Sequence, residues 1–135
     1  MRVGRSSEAF LSVTPTGSPS SQGGFMDVRV VVAAREFRGS ANCRQELAEL
    51  RLFAAQLADL QAGGRTDAVL DSGEGWFFVR LDATDNPRSP VSVDGFVSDG
   101  LGDGNTLRFR LTCDRAELPG LAAEAEAVLR SYPLV

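Results

Sequence analysis

The stretch FMDVRVVVAAREFRGSANCRQELAELRLFAAQLADLQAGG, residues 25–64, changes its hydrophobic period partway along and so decides the fold class. In its first part Met26, Val28, Val30 and Val32 alternate with Asp27, Arg29 and Arg35, the period of two that puts successive side chains on opposite faces of a strand. A single long strand is expected over Phe25–Arg38, bulged near Gly39. In its second part Leu47, Leu50, Phe53, Leu57 and Leu60 recur at spacings of three and four, the apolar stripe of an amphipathic helix. Asn42 followed three residues later by Gln45 has the spacing of a capping box, which starts the expected helix at Cys43, and Gly63 or Gly64 supplies the left-handed stop.

Upstream, Glu8–Thr14 (EAFLSVT) is short, apolar and partly β-branched and reads as an opening strand. The segment from Pro15 to Gly24, PTGSPSSQGG, has almost no surface to bury and reads as a mobile hairpin loop. Downstream, TDAVLDS (66–72), WFFVRLDA (76–83) and VSVDGFVS (91–98) read as an antiparallel meander, with turns at residues 72–75 and 86–88. After the Gly-rich turn at 99–105, TLRFRLTC (106–113) is the last strand. Asp114 and Glu117 have capping-box spacing. Pro119 is tolerated only in a first helical turn, so residues 115–118 are expected as a 3₁₀ lead-in to a C-terminal helix through Leu121, Ala125 and Leu129. The expectation is one α+β domain over residues 1–135, in the order β-β-α-β-β-β-β-α, with two helices on a mostly antiparallel six-stranded sheet.

Composition narrows the chemistry. The 135 residues are 43% hydrophobic and 24% charged, as in a globular chain of about one domain. There is no histidine, and all 14 basic residues are arginine. The commonest general base and metal ligand is therefore missing, as are the lysines of Schiff-base and P-loop chemistry. The net charge of -4 argues against nucleic acid and anionic membranes as partners and is compatible with a basic protein. The two cysteines, Cys43 and Cys113, form no CxxC; their spacing alone does not decide between free thiols and a bridge. The start of the chain lacks the apolar core of a secretory signal, which favours reduced thiols and the cytoplasm.

If Phe77, Val79 and Leu81 face the helices, then Trp76, Phe78, Arg80 and Asp82 lie on the opposite side of the sheet. With Leu107, Phe109 and Leu111 inside, Arg108, Arg110 and Thr112 join them, as do Asp94, Phe96 and Ser98 if Val91, Val93 and Val97 are core. Trp, Phe and Arg together on one face are the residue types that dominate protein-protein contacts. The plainer alternative is that Trp76 and Phe78 complete a satellite core under the N-terminal hairpin. Two carboxylate readings compete: Asp99, Asp103 and Asn105 as oxygen ligands in a Gly-rich loop without the frame of an EF-hand, and Asp82 facing Asp94 across strands as an acid/base pair. The serines at 18, 20 and 21 have no base to activate them, GxSxG is missing, and a catalytic role is disfavoured. No catalytic residue, metal ligand or cofactor is assigned.

The order of elements, with FMDVRVVVAAREFRGSANC, ELAELRLFAAQLADL and above all NTLRFRLTCDRAELPGLAAEAEAVL, resembles the bacterial family of WapI-type immunity proteins, small partners of contact-dependent toxins. The most telling part is a final strand ending in Asp114, followed by Leu118-Pro119 and a C-terminal helix. The resemblance implies binding without catalysis, the chain occupying a toxin domain. The candidate partner surface is Trp76, Phe78, Arg80, Asp82, Asp94, Phe96, Arg108 and Arg110, and a basic nuclease is among the candidate toxins. A homodimer through the same face is the alternative from another class, and a carboxylate and divalent-metal enzyme a third.

Overall fold

The computed structural model describes residues 1–17 and 24–132. Most of the loop expected over Pro15–Gly24 therefore lies outside the described residues. Among the described residues eight strands form two four-stranded antiparallel sheets, not one sheet of six. The first contains β1 (Arg2–Val3), β2 (Ala9–Pro15), β3 (Phe25–Ala34) and β4 (Phe37–Glu46); the second contains β5 (Asp67–Asp71), β6 (Phe77–Asp82), β7 (Val91–Ser98) and β8 (Thr106–Cys113). Within each sheet the strands lie in chain order. Helix α1 (Leu47–Gln61) connects the sheets, and α2 (Leu118–Ser131) follows a 3₁₀ turn at Arg115–Glu117.

The main departure from expectation falls inside the deciding stretch. Residues 25–46 are two ten-residue strands folded back at Arg35 and Glu36, with Ala34 opposite Phe37 and Phe25 opposite Glu46. The turn was hidden because AREF contains no Gly, Asn or Asp; Arg35 itself takes the left-handed conformation, φ 61°. Period two also continues past Gly39: Ala41, Cys43 and Gln45 are buried between exposed Ser40, Asn42 and Arg44. The Asn42–Gln45 spacing is thus not a cap. Asn42 accepts from the Arg29 guanidinium at 3.1 Å, and the helix starts after Glu46, which makes no side-chain cap. From Leu47 the stripe behaves as its period requires, and Leu47, Leu50, Phe53, Leu57 and Leu60 are all buried. Gly63 stops the helix at φ 83°.

The expected faces of the second sheet hold for Phe77, Val79, Leu81, Val91, Val93, Val97, Phe109 and Leu111, which are buried. The inner sides of both sheets and the apolar stripes of the helices share one core; Leu11, Val13, Phe53, Leu70, Val79 and Leu121 border one small interior space. The capping box at Asp114 forms as read: its carboxylate accepts from Ala116 N–H at 3.0 Å, and its own N–H donates to Glu117 Oε2 at 2.9 Å. Pro119 sits in the first turn of α2. The other oxygen of Glu117 accepts from Gly4 N–H at 3.1 Å, and Glu124 accepts from Arg2 N–H at 2.8 Å, so α2 and the 3₁₀ turn before it hold β1 and the residue after it by the backbone.

One residue controls how closely β6 and β7 approach. A Cβ on Gly95 would lie 1.9 Å from the carbonyl oxygen of Phe78 and 3.1 Å from the Cα of Val79, backbone atoms that cannot step aside. Gly95→Ala is expected to lower stability by about 1–3 kcal/mol or more, as overpacking against fixed atoms does. Gly120, in α2 with nothing near its Cβ direction, should show the opposite sign, Gly120→Ala raising stability by about 0.5–1 kcal/mol. Urea unfolding of the two variants beside the parent protein checks both signs.

Candidate functional site

The strand register brings most of the expected face together. Across β6, β7 and β8, Phe78 stands opposite Phe96 and Phe96 opposite Arg108; one step along, Arg80 is opposite Asp94 and Asp94 opposite Arg110. The rings of Phe78 and Phe96 stack with centroids 6.3 Å apart and planes 11° from parallel, a favourable cross-strand aromatic pair. Both are half-buried, whereas Arg108, Arg110 and Thr112 are exposed. Phe78, Asp94, Phe96, Arg108 and Arg110 border an open cleft of about 590 Å³.

Two members of the expected face are elsewhere in character. Trp76 precedes β6 instead of opening it: its N–H donates to Ser72 Oγ at 2.9 Å, and its half-buried side chain packs against the core. Its indole Nε1 is enclosed without a hydrogen-bond partner among the described residues. Ser98 is buried, with its hydroxyl 2.9 Å from that of Thr106. Alternation alone cannot foresee either, because the end of a sheet is covered by its own turns.

Charge is distributed unevenly over the face. Toward β5, Arg80 pairs with Asp67 at 3.4 Å and Asp82 at 3.3 Å, and Arg65 reaches Asp67 at 3.1 Å. Hydrogen bonding from Arg65 first, then from Arg80, holds the Asp67 carboxyl below the usual carboxylate range. Toward β8, Arg108 and Arg110 have no ion pair among the described residues. Asp82 and Asp94 do not face one another: Asp82 is opposite Ser92, while Arg80 stands opposite Asp94, so the acid/base pair considered from sequence is not assembled. In the 99–105 loop, Asn105 donates to Asp99 from its backbone N–H at 2.6 Å and its side-chain amide at 3.2 Å, which lowers the Asp99 pKa. That carboxylate closes a turn. Among the described residues no group of three or more Cys, Asp or Glu is placed to hold a metal ion.

Cys43 and Cys113 are free and buried. Burial pushes the Cys43 thiol up to about 11 and the Cys113 thiol up to about 12, the latter helped by Glu117 and Asp114. Both stay protonated at neutral pH, where the thiolate is the reactive form. Iodoacetamide should therefore label neither in native buffer and both in urea, read by mass spectrometry. Asp67 gives a pH signature. Its depressed pKa contributes stability above the carboxylate range, which is lost as pH falls through the folded value. Asp67→Asn should accordingly be less stable than the parent protein near neutrality, with the difference vanishing in acid, measured by urea midpoints across the pH range.

Among the described residues no helix is long and apolar enough to cross a membrane. No curated protein matches the chain. The model of the immunity protein WapI-like family matches residues 2–133, nearly the whole of both sheets and both helices. The chain belongs to the WapI-like immunity protein family.

Proposed function

We propose that this protein neutralises a cognate bacterial toxin by direct, non-catalytic binding, with the outer face of β6–β8 as its docking surface. Family membership supports the function. The surface rests on one observation: two exposed arginines without ion-pair partners among the described residues border a cleft whose wall is a stacked pair of half-buried phenylalanines. An apolar centre beside forked cationic donors is the composition of interface hot spots, because the aromatics lose water on contact and guanidinium groups bind carboxylates through two parallel bonds.

The local charge refines the kind of partner. The net charge of -4 suits a basic domain such as a nuclease at long range, and acids away from this face serve that attraction. At contact, Arg108 and Arg110 call for carboxylates on the toxin. The same two arginines make a homodimer through this face the weaker reading, since like charges would meet. Free, buried thiols fit an encounter in the reducing cytoplasm.

The test is co-expression with the product of the reading frame immediately upstream of the gene, followed by growth and co-purification. Relief of growth arrest with a stoichiometric complex is expected. The double variant Arg108→Glu, Arg110→Glu should melt like the parent protein and bind about tenfold more weakly or worse. Unchanged affinity in that variant removes the face from the proposal; arrest without relief by the parent protein removes this partner.

A further inference from the structure

Four strands end the two sheets, and three of them are occupied wholly or in part. The N–H groups of Arg2 and Gly4 at β1 go to Glu124 and Glu117. At β5, Val69 N–H donates to Gln56 Oε1 of α1 at 2.8 Å. At β4, Glu46 N–H donates to the Ser72 carbonyl at 2.8 Å. Gly39, Ser40 and Ala41 of β4 border a cleft of only about 180 Å³ shared with residues 97–99 and 105–107.

The register fixes what the fourth edge offers. Ser98 N–H donates to the Trp76 carbonyl, so the even residues of β7 exchange bonds with β6; Asp99 N–H donates to the Asn105 carbonyl, so the odd residues of β7 bond to the odd residues of β8. The backbone groups of Thr106, Arg108, Arg110 and Thr112 therefore point away from the sheet, and those N–H groups have no partner among the described residues. A cleft of about 460 Å³ is lined by Arg110, Leu111 and Thr112 of β8 and by Ala9, Ala34 and Arg35 of the first sheet and its β3–β4 turn. Arg110 lines both this cleft and the 590 Å³ cleft of the outer face.

We infer that the free edge of β8 accepts an extended acidic segment of the protein partner as a fifth strand of the second sheet. This rests on the outer-face reading and adds a backbone mode of recognition to it. Main-chain bonds to alternate residues supply affinity in strand addition, and side chains flanking the edge select the sequence. Here Arg108 and Arg110 flank it on the outer face, and Arg35 lines the same cleft as Arg110 and Thr112. Carboxylates at alternate positions of the incoming strand meet these cations. A second copy of β8 is disfavoured as occupant, because antiparallel pairing centred on Phe109 sets Arg108 opposite Arg110 of the other copy.

The probe is a blocked five-residue peptide of alternating glutamate and valine, with a lysine and valine peptide as control, titrated into the isotope-labelled protein. The amides of Arg108, Arg110 and Thr112 should shift, and their hydrogen exchange should slow, while those of Leu107, Phe109 and Leu111 are already protected in the free protein. Arg110→Pro removes one outward donor without touching the β7–β8 ladder and should weaken the peptide by about fivefold or more, in line with losing one net hydrogen bond and one cation. Arg110→Gln keeps the donor and should weaken it less. Shifts confined to side chains of the outer face, equal binding of the lysine peptide, or no binding at all overturns the inference. Peptide binding without relief of growth arrest keeps the strand-accepting edge and removes the upstream product as the partner; relief with unprotected Arg108, Arg110 and Thr112 amides in the complex does the reverse.

Discussion

The polar junction where β4 runs into α1 sets the relation between the two sheets. Gln45 is wholly buried, and its amide nitrogen donates to the carbonyls of Asp71 at 2.8 Å and Glu46 at 2.9 Å. The next residue gives its N–H to the carbonyl of Ser72, whose buried hydroxyl accepts from Trp76 and Phe77. One cluster thus ends a strand of the first sheet, begins the helix and closes the β5–β6 turn of the second. Buried backbone groups lose water on folding and must be paired, so these bonds specify one geometry more than they add net energy. Because β6 starts from this cluster, the face carrying Phe78 and Phe96 is positioned by it.

The uneven pairing of charge follows from strand order. β5 and β6 bring Asp67, Asp82 and Arg80 side by side, so the arginine there is neutralised within the sheet. β8 is last in its sheet and has neighbours on one side only, which leaves Arg108 and Arg110 facing solvent. Such exposed ion pairs contribute little to stability. Their effect is to make one half of the face electrostatically quiet and the other cationic, and the edge position that creates the unpaired charge also creates the unpaired backbone.

What the sequence made legible was whatever depends on local period. The stripe of α1, the alternation of 91–98 and 106–113, and the Asp114 capping box are each readable from a few neighbouring residues. The hairpin at Arg35 was not, because its turn uses an arginine in the left-handed region and the flanking valines and alanines read through it as one strand. Division into two sheets was equally hidden, since pairing partners are set by long-range packing and not by pattern. Of the proposed face, Phe78, Arg80, Asp82, Asp94, Phe96, Arg108 and Arg110 follow from alternation. Trp76 does not, because strand and turn meet at that residue, and the open edge of β8 appears only once the ladder is known.

The hold of α2 on β1 has a consequence for the order in which the structure can be completed. Gly4 and Glu117 are separated by 113 positions in the chain, and Arg2 and Glu124 by 122. Closing so large a loop is entropically costly and comes late in folding. During synthesis β1 emerges more than 110 residues before the groups that clamp it, so the first sheet keeps an uncapped edge until α2 has been made. A chain made only as far as β8 therefore has both sheets in sequence but lacks the contact that closes the first.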